Sequence, residues 1–232
     1  MHIVSVQGTS LVDYPGNMAS VLFTGGCDFR CPNCQNPDLI AVNEKTLRLA
    51  EGDVVQFLVQ RKSWIDGLVV TGGEPLIHND LPEFLKRLKE TTGLLLKVDT
   101  NGHHPDMLQR LIDEGCVDYV AMDIKSDPAR YSEAAGKLVD LDRVMRSIAL
   151  LKEGRVAYEF RTTVVPPFVD EAAVQAIGKI INGAAVWAFQ QFINRVTFSA
   201  DFAGLRPLLP AEVRALAVVG EPYAKRIVVR GV

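Results

Sequence analysis

Three of the four cysteines fall within eight residues, at Cys27, Cys31 and Cys34, in a C-x3-C-x2-C pattern. Four cysteines in 232 residues are too few for a disulfide scaffold, and in a reducing compartment clustered thiols indicate a metal or redox site. Three thiolates on one short loop can hold three corners of a 4Fe–4S cluster, which normally takes four. The remaining iron would then be open to an exogenous chelating group, as a catalytic metal centre requires.

Two other interpretations of these thiols stay open. A structural zinc site could be completed by Cys116 or a histidine, although zinc sites more often use two C-x2-C pairs and this sequence has one. A thiol redox motif is the other alternative. Cys116 follows Gly115 just before a predicted strand, so we expect a buried structural thiol at the far end from Cys27. Capping or surface positions are expected for three histidines: His78, His103 and His104.

The rest of the chain alternates short apolar runs with amphipathic segments. Several runs are apolar almost throughout, as strands buried on both faces must be. The predicted strands are Ala19–Thr24, Leu68–Thr71, Leu94–Val98, Tyr119–Met122, Tyr158–Val165, Val186–Phe192 and Ile227–Val229. Three helices are predicted: one whose apolar face runs from Leu81 to Leu88, one that begins at Pro105 and one that is capped by Asp170. This order predicts an α/β fold of parallel βαβ units, either an open doubly wound sheet or a full or partial barrel, in a single domain spanning residues 1–232.

Polar residues cluster where six of these strands end. In parallel α/β folds the carboxyl ends of strands meet on one face, where active sites are built. The competing explanation is that these are ordinary turn residues. The segments in question are Gly25–Cys27, Gly72–Pro75, Asp99–Gly102, Asp123–Lys125, Arg161–Thr163 and Gln190–Gln191.

Composition excludes several classes of protein. Lys and Arg number 25 against 28 Asp and Glu, a net charge of −3, so the basic excess typical of nucleic-acid binders is absent. No apolar run reaches the ~20 residues of a membrane-spanning helix. The first residues lack the basic-then-apolar pattern of a secretory signal, which predicts a cytoplasmic protein with no membrane partner.

The cysteine loop after the first strand and Gly72-Gly73-Glu74 after the next together resemble the radical SAM superfamily. The resemblance covers nearly the whole chain. In detail, the sequence is similar to the anaerobic ribonucleoside-triphosphate reductase activating proteins, which are activases of glycyl radical enzymes. Five further motifs occur in the expected order: Asp13–Gly16, Asp99–Gly102, Met122–Lys125, Arg161–Pro166 and Gln190–Phe192.

The resemblance implies a partial (β/α)6 barrel of the radical SAM type. It implies that Cys27, Cys31 and Cys34 hold a 4Fe–4S cluster whose open iron binds S-adenosylmethionine (SAM). Reductive cleavage of SAM would give a 5′-deoxyadenosyl radical that takes a hydrogen atom from a backbone glycine of a partner enzyme. The implied partners are a glycyl radical enzyme, such as anaerobic ribonucleotide reductase, and a flavodoxin- or ferredoxin-type electron donor.

The resemblance also implies roles for individual residues. Gly72 and Gly73 would let the backbone approach a ligand closely, and Glu74 would accept from the SAM ammonium group. A monovalent cation is implied beside SAM, held by Asp99, Thr100, Asp123 and the carbonyl of Ala121. The remaining candidates for SAM binding are Asn36, Asn101, Lys125, Arg161 and Gln191.

Three positions depart from the family pattern. An aromatic residue usually precedes the third cysteine and a histidine follows it, where this chain has Asn33 and Gln35. Pro167 stands where the family tends to have glycine. Two other functions are carried as alternatives: a radical SAM enzyme acting on a small molecule or peptide, and a non-enzymatic iron–sulfur or zinc-binding regulator.

Overall fold

The backbone is built around one eight-stranded sheet with its strands in sequence order. A computed structural model describes residues 1–43 and 45–232. The strands are β1 (Ile3–Ser10), β2 (Ala19–Thr24), β3 (Gly67–Gly72), β4 (Leu95–Thr100), β5 (Tyr119–Asp123), β6 (Ala157–Val164), β7 (Trp187–Gln191) and β8 (Ile227–Arg230). β1 runs antiparallel to β2, and every later pair is parallel. The order places β1 and β8 at opposite edges.

Eight helices connect and cover the strands in the described part of the chain. They are α1 (Glu51–Arg61), α2 (Leu81–Thr92), α3 (Pro105–Asp113), α4 (Tyr131–Ala135), α5 (Leu141–Lys152), α6 (Glu171–Ile181), α7 (Ala200–Ala203) and α8 (Pro210–Gly220). Their boundaries follow from the sequence. Pro82 lies in the first turn of α2 and Gly93 ends it in the left-handed conformation, while the Asp170 carboxylate accepts from the Ala173 N–H at the start of α6.

The central strands are buried on both faces, which explains their apolar runs. On β3, Leu68 and Val70 pack in the main core, whereas Val69 between them joins a small second cluster with Tyr14 and Val21. Because alternate side chains point to opposite faces, the two clusters lie on opposite faces of the sheet.

The second face changes character along the sheet. On β2 and β3 it carries Val21 and Val69, but on β4 and β6 the same alternation presents charged side chains. Lys97 and Glu159 are each at most 1% exposed. The second face of the sheet is therefore an apolar wall on β2 and β3 and a charged wall on β4 and β6.

The predicted architecture is confirmed as an α/β fold with a mostly parallel sheet of the partial-barrel type. All seven predicted runs are strands, and Ala19–Thr24 matches in both boundaries. β1 was not predicted, and β8 adds a parallel strand beyond six units. None of the helices in the ranges 1–43 and 45–232 is long and apolar enough to cross a bilayer.

Candidate active site

A cavity of about 310 Å³ opens at the carboxyl ends of the parallel strands. Every residue predicted for the site except Ala121 lines it, although these residues come from separate segments of the chain. They are Cys27, Cys31, Cys34, Asn36, Gly72, Gly73, Glu74, Asp99, Thr100, Asn101, Asp123, Lys125, Arg161 and Gln191. The turn-residue explanation does not predict such convergence.

The segment Gly25–Ile40, called here the cluster loop, is held by backbone hydrogen bonds on several sides. Within it, the Gly26 N–H donates to the Leu39 carbonyl at 2.8 Å. The Arg30 N–H donates to the Ala135 carbonyl at the end of α4, also at 2.8 Å. The Ser199 N–H donates to the Pro32 carbonyl at 2.9 Å, which brings the segment after β7 against the loop. The cysteines are therefore presented by a fixed frame.

The three cluster-loop thiols are free and partly exposed to the cavity. Burial raises the pKa of Cys27 to about 12 and also raises that of Cys31, so a bound metal cation must stabilise the thiolates. Three thiols that line one cavity and need a cation fit an iron–sulfur cluster. Cys116 is 1% exposed, with its Sγ 3.8 Å from the Pro82 carbonyl, which confirms a buried thiol in the core.

Gly72 and Gly73 are required by the backbone of the cluster loop. Gly72 has φ +119°, and a Cβ there would lie 2.4 Å from backbone atoms of Thr24. A Cβ on Gly73 would lie 1.9 Å from the Gly26 carbonyl oxygen. Close backbone approach was predicted, but the partner in the structure is the end of β2 and its loop, although both glycines also line the cavity.

Glu74 is 1% exposed and ties β3 to β4. Its Oε1 accepts from the Leu76 N–H at 3.0 Å and from the Thr100 hydroxyl at 2.8 Å, and its Oε2 accepts from the Asn101 N–H at 2.7 Å. Burial raises the pKa of Glu74 to about 7 against these hydrogen bonds, which favour the charged form. A carboxylate accepts about four hydrogen bonds, so Oε2 keeps room for one more donor.

Asp99 and Asp123 are joined by side-chain cations. Arg161 bridges them, with Nη1 2.8 Å from Asp99 Oδ2 and Nε 2.8 Å from Asp123 Oδ1. Lys125 Nζ lies 2.9 Å from Asp123 Oδ2, and Lys97 Nζ contacts Asp99 Oδ1. Repulsion between the two carboxylates is therefore relieved by cations of the protein itself. Lys97 was missed by the sequence interpretation, although a lone lysine inside an apolar strand signals a buried partner.

Two of the histidines contact Asp28 of the cluster loop. His103 is 8% exposed, and its Nδ1 lies 2.8 Å from Asp28 Oδ2. His104 Nε2 lies 3.2 Å from the same oxygen, and the Asn101 amide donates to Asp28 Oδ1 at 2.9 Å. The prediction of surface or capping positions is therefore wrong for His103. Its partner, Asp28, lies in the cluster loop 75 residues earlier.

The far side of the cavity is formed by β7 and by the end of the cluster loop. The Gln191 amide donates to the Leu208 carbonyl at 3.1 Å, while its buried Oε1 has no partner among the described residues. Gln35 donates from its side chain to the Ile193 carbonyl at 3.3 Å. Asn33 and Asn36 line the same side, and Asn36 is exposed.

Comparison with known proteins assigns the family. The model of the radical SAM superfamily matches residues 21–180, which span the cluster loop and most of the parallel strands. The chain belongs to the radical SAM superfamily. The family uses a 4Fe–4S cluster and SAM, and the three free thiols and the polar cavity of this protein fit those groups.

Two sequence relatives and one solved structure extend the comparison. A Methanocaldococcus jannaschii protein, provisionally named a glycyl-radical enzyme activating enzyme, is 30% identical over 98% of this chain and 95% of its own length. The pyruvate formate-lyase-activating enzyme of Staphylococcus epidermidis is 27% identical over 78% of this chain and 75% of its own. SuiB of Streptococcus suis, solved with bound SAM, matches 88% of this chain at TM-score 0.66 and 14% identity. This chain spans about half (48%) of the SuiB chain, and at that identity the likeness concerns the fold.

Replacing Gly73 by alanine tests the contact between β3 and the cluster loop. Gly73→Ala should destabilise the protein by about 1–3 kcal/mol and lower its capacity for iron, because the new methyl group displaces the Gly26 carbonyl. Gly52→Ala is the matched control, since a Cβ at this position in α1 meets no atom within 4 Å. Urea unfolding and iron content after anaerobic reconstitution measure both effects. Equal stability and equal iron content of the two variants would contradict the packing argument.

Burial of Glu74 predicts a pH-dependent contribution to stability. Between its ordinary pKa of 4.5 and its raised value of about 7, the folded state retains a proton that the unfolded chain has released. Stability must therefore fall as pH rises through this interval, by roughly 3 kcal/mol. Urea unfolding of the cluster-free protein and of Glu74→Gln at about pH 4.5 and about pH 8 isolates this effect. Relative to the wild type, the free energy of unfolding of the variant should be higher at about pH 8 than at about pH 4.5. A stability difference between the two proteins that does not change with pH would contradict the prediction.

Proposed function

We propose that this protein activates a glycyl radical enzyme by reductive cleavage of SAM. The observation that carries the proposal is the convergence of three free thiols, a buried carboxylate and a cationic network on one cavity. The name of the M. jannaschii relative, which aligns over 98% of the chain, supports the same reaction class. The thiols would hold the cluster that reduces SAM, and the carboxylate and the cations would bind its amino-acid end.

Cys27, Cys31 and Cys34 are proposed as the three ligands of the 4Fe–4S cluster. When reduced, the cluster supplies one electron to the sulfonium of SAM, whose S–C5′ bond breaks to methionine and a 5′-deoxyadenosyl radical able to take a hydrogen atom from a glycine Cα. The protein's part is to orient SAM and to exclude water, because a misplaced radical would attack the protein itself.

The amino-acid end of SAM is proposed to lie between Glu74 and Arg161. The remaining acceptor site on Glu74 Oε2 suits an ammonium group, and Thr100 and Asn101 fix that carboxylate by donating to it. Arg161 uses Nε and Nη1 on the aspartates, so its other N–H groups can donate to the SAM carboxylate, as can Lys125. Asp99 and Asp123 position the guanidinium. Gly72 and Gly73 bring Glu74 to the wall of the cavity.

The nucleoside end of SAM is proposed to face β7 and the end of the cluster loop. The buried, unpartnered Oε1 of Gln191 is an acceptor that a ribose hydroxyl or the adenine amino group would satisfy. Asn36, exposed at the mouth, and Asn33 offer further polar contacts where the family has an aromatic residue.

A protein substrate is supported by the surface beside the mouth. The segment after β7 touches the cluster loop through Ser199 and Ile193, and it exposes three apolar side chains. Ile193 is 45%, Val196 52% and Phe198 48% exposed. Exposed apolar side chains next to a site suit a large partner that covers the cavity. We propose anaerobic ribonucleotide reductase as that partner, a flavodoxin- or ferredoxin-type protein as electron donor, and the reducing cytoplasm as the location.

Substitution of single cysteines tests the ligand assignment. Alanine at Cys27, Cys31 or Cys34 should remove one ligand each and abolish SAM cleavage, whereas Cys116→Ala should keep the cluster and the cleavage. Iron and sulfide content, the cluster spectrum and 5′-deoxyadenosine formation are the measurements. A Cys116 variant without cluster beside a Cys34 variant that retains it would overturn the assignment.

Formation of a glycyl radical tests the proposed reaction directly. The reconstituted, reduced protein mixed with SAM and the anaerobic ribonucleotide reductase of the same organism should give a doublet glycyl radical signal by EPR. Replacement of the partner's radical glycine by alanine, or use of Cys31→Ala, should remove the doublet. If the doublet appears with a different glycyl radical enzyme and not with the ribonucleotide reductase, the proposed partner is wrong. Acceleration of SAM cleavage by a small molecule that is itself altered would favour the alternative substrate class.

A further inference from the structure

Lys97 is a buried cation that the proposed reaction does not use. It lies in the middle of β4 between the core residues Leu96 and Val98, and its side chain is 1% exposed. A lysine in such a place is costly unless its ammonium group is paired. Its Nζ contacts Asp99 Oδ1, on the same face of the strand.

This contact completes a network in which each carboxylate oxygen of Asp99 and Asp123 meets one side-chain cation. Lys97 contacts Asp99 Oδ1, and Arg161 donates to Asp99 Oδ2 and Asp123 Oδ1. Lys125 takes Asp123 Oδ2. Burial alone would raise the pKa of Asp99, but Arg161 and Lys97 hold it below its ordinary value, so the carboxylate stays ionised. Burial lowers the pKa of Lys97, and the ionised Asp99 carboxylate in contact with it opposes this shift and favours the ammonium form.

The monovalent cation implied by the family resemblance does not fit these residues. Both aspartates are already saturated by side-chain cations. The Thr100 hydroxyl donates to Glu74 at 2.8 Å and accepts from the Gly102 N–H at 3.0 Å. Three side-chain cations against two carboxylates leave the network at +1, and a sodium or potassium ion would raise it to +2 in a buried place.

We propose that the Lys97 ammonium group stands in for the metal cation, so that this protein binds SAM without sodium or potassium. Lys97 neutralises and orients Asp99, Asp99 holds the Arg161 guanidinium, and the excess positive charge of the network is met by the SAM carboxylate. Lys97 is thus a positioning residue, because it acts through Asp99 and Arg161. The inference rests on SAM as ligand and is independent of which partner enzyme is activated.

The first test compares salts on the wild-type protein. SAM affinity of the reconstituted protein is measured calorimetrically in sodium, potassium and choline chloride at equal ionic strength, with sodium-free reagents. Melting of the cluster-free protein is followed in the same salts. The expected result is the same affinity and the same melting temperature in all three. A saturable gain in affinity or melting temperature with sodium or potassium would overturn the proposal without any variant.

The second test uses two variants that differ in the space they leave. Lys97→Ala removes the ammonium group and opens room beside Asp99, whereas Lys97→Met removes the charge and keeps the volume. Both should lose about tenfold or more in SAM affinity in choline, because a buried charge has lost its partner. Sodium or potassium should restore affinity to Lys97→Ala and leave Lys97→Met unchanged.

A matched control and the contrary outcomes complete the design. Lys89→Met removes a lysine that pairs with Asp118 at 2.7 Å but is 37% exposed and outside the cavity, and it should behave as the wild type. Wild-type affinity of both Lys97 variants in choline would overturn the proposal. So would equal rescue of both variants by the cation. Because no partner enzyme is present, failure here is distinct from failure to form a glycyl radical.

Discussion

The position of the site depends on one contact, the approach of Gly73 to the backbone of Gly26. A side chain at residue 73 would collide with a carbonyl oxygen, so the end of β3 and the cluster loop lie as close as two backbones can. The next residue uses this closeness: the Glu74 N–H donates to the Gly26 carbonyl at 2.8 Å, and its carboxylate reaches β4. Three successive strand ends are thereby tied together where the thiols are presented. Displacement at this point would move the cluster loop and the carboxylate together.

The uneven interior of the sheet explains how so many charges can be buried beside this contact. The apolar wall of β2 and β3 leaves no room for unpaired polar groups, so the charges gather on β4, β5 and β6 and satisfy one another. The pair of Glu159 and Arg230 continues the pattern, with two hydrogen bonds of 2.8 and 2.6 Å. Pairing of this kind fixes side-chain directions more than it adds stability, because the cost of removing the charges from water offsets much of their attraction. A rigid set of charges suits a site that must hold a small ligand in one orientation.

The sequence predicted what periodicity and motif spacing determine locally, and it missed what depends on distant partners. The strand Ala19–Thr24 was predicted in both boundaries because its run is apolar on both faces. β1 was missed because it lacks a continuous apolar run, and between its buried ends, Ile3 and Ser10, its residues alternate between partly buried and exposed. His103 was misplaced because nothing near it in the sequence reveals Asp28 as its partner. Gly72 and Gly73 were correctly marked as sites of close approach, but a sequence does not say whether the neighbour is a ligand or the protein's own backbone.

The burial of Cys116 divides the thiols of this protein into two chemical kinds. Three are accessible from the cavity and one is enclosed in the core. The enclosed thiol can react with an oxidant or an alkylating reagent only after the structure opens locally. Joining any two of the reachable cysteines in a disulfide would remove two of the three sulfur atoms proposed to hold iron while leaving the core packing intact. Such a disulfide would therefore prevent cluster uptake without unfolding the protein, and a sample containing it would be well folded yet unable to bind its cluster.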